Sequence, residues 1–143
     1  MNDPVAARMI LAPLLALAAW TMLSLLMIAA RRFAAAFRGE LVADDFLQGE
    51  SERVPPPVSL VNRHYMNLLE APVLFYALVL VAYAGDLATT GLLALAWAYV
   101  VLRLVHSLIY LTYNQVVHRF VAFALSNVAL TGFGILLALR LFA

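Results

Sequence analysis

Arg63, Asn67 and Glu70 stand at i, i+4 and i+7 in the stretch NRHYMNLLEAPVLFYALVLVAYAG, most of which is apolar. At about 100° per residue a helix gathers these three on one narrow stripe. Further along, Tyr99, Arg103, His106, Ser107, Tyr110 and Asn114 form a second stripe, and Arg119 opens a last apolar run. Guanidinium groups offer a planar fork of donors to carboxylates or thiolates. These residue types therefore point to the binding of an anion and the stabilisation of negative charge. The chain has no cysteine, so any thiol chemistry arrives with a substrate. His106 has no partners at metal-ligand spacing, and no metal is expected.

Charge counting sharpens this. Glu70 is the one carboxylate well inside an apolar segment, against Arg63 and Arg103 within and Arg119 at the rim. One acid cannot neutralise three guanidinium groups, and an unpaired charge in an apolar setting costs several kcal/mol. An anionic ligand satisfies the surplus, and Glu70 left free receives an ammonium group; a ligand with carboxylates and an amine suits both. Singly, each residue has a plainer reading. Arg63 can snorkel to headgroups, Asn67 can bond a neighbouring helix, Glu70 and Arg103 can pair to fix register, and His106 can be a satisfied core histidine. The plainer readings do not account for several helices carrying these groups at one depth.

The elements that position these residues follow from composition. Of 143 residues 66% are hydrophobic and 12% charged, with a mean hydropathy of +0.95, which makes lipid the solvent for most of the chain. A net charge of +1 and no basic stripe argue against nucleic acid. Four segments reach the roughly 20 apolar residues that cross a bilayer: 5–30, 58–84, 87–112 and 116–142. The polar stretch 31–57 ends in three prolines, while the links near AGD and TYNQ are short and make neighbouring spans antiparallel. The pattern predicts an all-α membrane protein, a single domain (1–143) built as a four-helix up-down bundle, with Pro72 bending the second span.

Every basic residue is arginine, and Arg31, Arg32, Arg38, Arg53 and Arg119 lie on the side of the long loop, with only Arg8 and Arg140 opposite. That asymmetry puts the loop in the cytoplasm and both termini outside. On a rise of about 1.5 Å per residue, Arg63 to Glu70 sit roughly 8–18 Å from the cytoplasmic end of their span. Arg103 to Tyr110 lie at a similar depth, and Arg119 is within a turn of the same surface. The expectation is one polar pocket open to the cytoplasm.

The pattern Arg63-x-x-x-Asn67-x-x-Glu70, preceded by ERV and followed by PVLFYAL, resembles the motif of the MAPEG family, the membrane-associated proteins in eicosanoid and glutathione metabolism. VLRLVHSLIYLTYNQVVHRF is similar to that family's third span and the start of its fourth, and ARRF to the end of its first. The resemblance implies a homotrimer of four-helix subunits with glutathione, as co-substrate, bound between neighbours near the cytoplasmic face. It assigns the tripeptide to Arg63, Asn67, Glu70, Arg103, His106 and Tyr110, with Arg31 or Arg32 from a neighbour, and the thiol to Arg119. A free thiol titrates near about 8.5, and lowering that by two units corresponds to about 2.7 kcal/mol. An adjacent guanidinium favours the nucleophilic thiolate. Met66, Phe120 and Phe123 depart from the prostaglandin E synthase pattern and point away from prostaglandin isomerisation.

The expected function is a bacterial inner-membrane glutathione transferase or peroxidase acting on hydrophobic electrophiles that approach through the bilayer. Two other readings stand beside it. One is a non-catalytic scaffold of the same type binding a lipid or small anion. The other is a small proton-coupled transporter titrating Glu70, which neighbouring arginines disfavour by depressing the carboxylate pKa.

Overall fold

Four helical segments long and apolar enough to span a bilayer run through the computed structural model, which describes residues 8–142. The first, α1 (Leu11–Phe37), continues past the arginine pair, where the hydropathy pattern ended the span at residue 30. RRFAAAF consists largely of good helix formers and holds no breaker. The helix stops only where Gly39 takes φ +70°. There the Gly39 N–H donates to the Ala36 carbonyl at 2.9 Å and the Glu40 N–H to that of Ala35 at 3.0 Å, a Schellman cap that needs a left-handed residue. The expected start of this span at Val5 lies outside the described residues.

The polar connection is folded. Leu41 and Val54 pack with Ala35 of α1 and Val58 of the next helix, with Phe46 alongside. A single 3-10 turn (Ala43–Phe46) carries the buried Asp45. Its carboxylate accepts from the Val42 N–H at 2.9 Å and the Ser51 hydroxyl at 2.8 Å, with Arg53 at 3.8 Å. The Val42 bond first, then Ser51 and Arg53, hold this carboxyl below the usual aspartate range.

The second span is two helices, α2 (Pro56–Leu69) and α3 (Ala71–Ala84), interrupted at Glu70 with φ −83° and ψ −92°. Prolines at the first positions of α2 start it where their missing N–H groups are not needed. Pro72 has no N–H for the Leu68 carbonyl, and its ring crowds that carbonyl, which is why the expected bend is a full break. A turn with Asp86 at φ 52° leads to α4 (Thr90–Leu111), whose N-cap Thr89 accepts from the Leu92 N–H at 3.3 Å. A second tight turn leads to α5 (Val116–Leu141).

The result is the expected all-α bundle of antiparallel neighbours. Its core runs through Leu17, Phe75, Val79, Tyr99, Val100, Phe133 and Leu137, with α4 packed along α5, and α1 lying against α2, α3 and α4. Outside it, Leu26, Leu74, Leu108 and Val128 are each more than half exposed, a surface suited to acyl chains rather than water.

Candidate functional site

The break at Glu70 leaves the carbonyl of Asn67 at the C-terminal end of α2, where backbone acceptors are orphaned and the helix dipole is negative. Arg103 takes it. Its Nη2 donates to the Asn67 oxygen at 2.6 Å, and the side chain is 0% exposed. Around it lie other buried polar side chains: His64 and Tyr99 at 0% and His106 at 3% exposure. His64 stacks edge-on to Trp20 and lies 5.6 Å, ring centre to ring centre, from Tyr110. Trp20 in turn donates from Nε1 to the Ser107 hydroxyl at 3.1 Å, which gives this tryptophan a polar partner from α4.

The turn between α4 and α5 places Arg119. Asn114 adopts φ 46°, its N–H donates to the Ile109 carbonyl at 2.8 Å, and Gln115 caps α5 by accepting from the His118 N–H at 2.6 Å. With both helix ends fixed, the Asn114 Oδ1 accepts from Arg119 Nη1 at 2.7 Å, and the guanidinium carbon lies 4.5 Å from the centre of the Tyr110 ring. Arg119 is thus held by a neutral amide and an aromatic face. The ion pairs formed by the described residues, Arg32–Glu50, Arg38–Glu40 and Arg53–Asp45, all involve the loop that joins α1 to α2. Within that set Arg63, Arg103 and Arg119 have no carboxylate partner.

Asn67, His106, Tyr110 and Arg119 line one cavity of about 240 Å³ together with Val116, Phe120 and Phe123. The sequence model of the MAPEG family matches residues 10–139, which takes in every helix that builds this site. The chain belongs to the MAPEG family. No significant match links it to a curated protein or to a solved structure.

In this MAPEG protein the two polar stripes read from the sequence have different fates. The α4 stripe turns inward: Tyr99, Arg103, His106, Ser107 and Tyr110 are all buried. The α2 stripe turns away from its own bundle. Arg63 and Glu70 are exposed and only Asn67, half-buried, reaches the cavity. The buried face of the second span is instead Val58, Val61, His64, Leu68, Phe75 and Val79. The Glu70–Arg103 ion pair held open as a plainer reading is not formed among the described residues, because Arg103 is committed to the α2 terminus. Arg31 is exposed, whereas Arg32 is engaged by its own loop, bonding Glu50 at 3.3 Å with its guanidinium 4.3 Å over Phe46.

The sequence reading assigned no role to His64 and missed the contact that Asn114 makes with Arg119. His64 was visible there, since Val58, Val61, His64 and Leu68 recur at helical spacing on the apolar face of the span. Asn114 belonged to the α4 stripe, but its grip on Arg119 depends on a left-handed backbone at a helix–helix turn, which spacing alone does not reveal.

Proposed function

We propose that this is a membrane-bound glutathione transferase or peroxidase-type enzyme that activates the glutathione thiolate for attack on hydrophobic electrophiles. The observation that carries the reading is Arg119: a guanidinium facing a cavity, oriented by the neutral Asn114 and the Tyr110 ring, with no carboxylate among the described residues to consume its charge. Such a group stabilises a thiolate, the nucleophilic form. In transfer to an aryl halide the S–H bond gives its proton to solvent, sulfur bonds the ring carbon, and halide departs with the electron pair of the broken bond. Asn67, His106 and Tyr110 supply polar contacts beside Arg119, and Phe120 faces outward at 66% exposure, where a lipid-dissolved electrophile arrives.

The proposed glutathione contacts at Arg63 and Glu70 lie on the outward α2 stripe, and exposed charges at membrane depth are costly in lipid. The cavity of about 240 Å³ is also smaller than the roughly 300–1,000 Å³ usual for small-molecule sites. Both points support a site completed by a second copy, the homotrimer that the family resemblance implies. The tripeptide lies between copies, with its carboxylates toward Arg63 and its amine toward Glu70. Arg103 acts from behind the cavity by fixing the end of α2. Of the basic pair, Arg31 is the one free to reach a neighbour. The arginine asymmetry supports a loop that faces the cytoplasm and termini on the opposite side, here the periplasm of the bacterial inner membrane that is part of this proposal.

The test uses the detergent-solubilised protein with glutathione and an aryl halide, comparing wild type with Arg119→Ala, alongside the thermal shift on adding glutathione. Wild-type turnover lost in Arg119→Ala, with the glutathione-induced shift retained or reduced, supports the assignment. Equal turnover in the two proteins removes it. A shift with no turnover in either protein favours a non-catalytic binding scaffold.

A further inference from the structure

Phe123 touches both the cavity and the charge buried behind it. Its ring is part of the cavity wall, and the same ring has the Arg103 guanidinium carbon 5.6 Å from its centre and the His106 ring at 6.0 Å. Arg103 does not line the cavity. It is 0% exposed, yet its Nε and Nη1 have no hydrogen-bond partner among the described residues. Unsatisfied buried donors are costly, more so on a charged group, and an aromatic face gives a guanidinium partial compensation. Two donors of a fixed fork are therefore left unpaired on a guanidinium that lies over a ring of the cavity wall. Its position makes Phe123 a partition between the cavity and a buried guanidinium with unpaired donors.

We propose that Phe123 determines electrophile specificity: it keeps Arg103 out of reach, so the protein accepts uncharged electrophiles and refuses those bearing a carboxylate. This rests on the transferase reading above. With Arg119 engaged by sulfur, the second substrate meets Phe120, Phe123 and Val116 and finds no spare cation in the cavity. A carboxylate there loses its hydration without gaining a partner. Opening the partition gives it one, in the bidentate geometry that arginine favours.

The experiment measures kcat/KM with glutathione for a chloronitrobenzamide and the matching chloronitrobenzoate, in one detergent, as a ratio. Each turnover forms the sulfur–carbon bond, breaks the carbon–chlorine bond, releases chloride and passes the thiol proton to buffer. Wild type is expected to prefer the amide, and Phe123→Ala to narrow that preference by about tenfold or more, the scale of one charge-assisted hydrogen bond. Adding Arg103→Gln, which keeps a donor for the Asn67 carbonyl but removes the charge, is expected to restore the preference. Equal use of both substrates by wild type overturns the proposal, as does an unchanged ratio in Phe123→Ala or a narrowed ratio that survives Arg103→Gln. If Phe123→Ala does not fold, Phe123→Val opens the same partition and replaces it. Absence of turnover in every protein sinks the transferase reading, and the partition is then judged by binding. Benzoate, but not benzamide, is expected to raise the melting temperature of Phe123→Ala more than that of wild type, and equal shifts overturn the proposal.

Discussion

Asn114 does two things at one position, and substitutions separate them. Its backbone is left-handed at φ 46°, and its side chain holds Arg119 at 2.7 Å. Asn114→Gly keeps the backbone conformation and removes the tether. Asn114→Ala removes the tether and leaves a Cβ in the left-handed region without the local side-chain hydrogen bonding that lets asparagine visit it, whereas glycine relieves a Cβ clash of roughly 1–2 kcal/mol. Thermal unfolding in detergent should therefore drop for Ala and change little for Gly. A hydrogen bond to a charged group contributes about 1.5–3 kcal/mol, but Asn114 and Arg119 are only half-buried. About 1 kcal/mol is the reasonable share for this one. At about 1.4 kcal/mol per factor of ten, its loss lowers the thiolate population roughly fivefold and raises the bound thiol pKa by about 0.7. The sign follows from Arg119 favouring the charged form: a looser guanidinium moves thiolate formation to higher pH. Ultraviolet absorbance of bound glutathione thiolate against pH reads this directly. A Gly variant that titrates like wild type refutes the positioning role. Equal melting of the Gly and Ala variants refutes the backbone argument.

The remaining predictions concern the supports of the site. Arg103→Leu leaves the Asn67 carbonyl buried without a donor, whereas Arg103→Gln keeps an amide donor; Leu should be the less stable of the two by about 1–3 kcal/mol, read by denaturation in detergent. Asp45→Asn should speed tryptic cleavage after Arg53 at neutral pH, because the carboxylate that gathers Val42, Ser51 and Arg53 is gone. The Asp45 pKa is depressed on folding, so its contribution to loop order is present above the unfolded aspartate pKa and fades as pH falls through the lower folded value. Protection of the Val42 amide against exchange, followed with pH, checks that sign. Ser107→Ala, made in a Trp97→Phe background, takes away the acceptor of Trp20 Nε1. Its emission should move to shorter wavelength, with a stability loss of about 0.6 kcal/mol, the average for such bonds between membrane helices.

Span number, order and antiparallel arrangement could be read from the sequence because hydropathy and link length are one-dimensional properties. Pro72 announced the interruption for a local steric reason. The inward or outward sense of each stripe is a different kind of property. In water an amphipathic helix hides its apolar face, so periodicity also tells which side is inside. In lipid both the bundle interior and its outer surface accept apolar side chains, and that cue is lost. The α2 stripe of Arg63 and Glu70 therefore read as lining the interior, although the helix is rotated to put His64, Leu68 and Phe75 there. The folded loop was hidden for another reason. Asp45 is one acid among several in its segment, and only the chain reversal brings Val42, Ser51 and Arg53 around it.

The break in the second span changes the charge count that the sequence invites. A count of side chains sets Glu70 against Arg63, Arg103 and Arg119 and assigns the whole excess to a ligand. The backbone supplies countercharge that such a count omits. Arg103 sits at the C-terminal end of α2, where carbonyl dipoles are negative, and Glu70 occupies the N-cap position of α3, where they are positive. A continuous helix has neither end at this depth, so it would leave both groups to find partners across the bundle. Interrupting the helix gives one Arg103 donor an internal acceptor and keeps that guanidinium out of the cavity, which leaves Arg119 as the guanidinium facing it, with Arg63 outside on the α2 face. The anionic demand on a ligand within one subunit is then a single negative charge at Arg119, the size of a thiolate, and on the reading proposed above the carboxylates of the peptide go to the outward stripe and a neighbouring copy. Glutathione binding should accordingly weaken in Arg63→Gln with little change in thiol pKa, while Arg119→Gln raises the thiol pKa with a smaller loss of affinity. Calorimetry and thiolate absorbance on the same two variants distinguish these effects, and a common response of both variants in both measurements would refute the division.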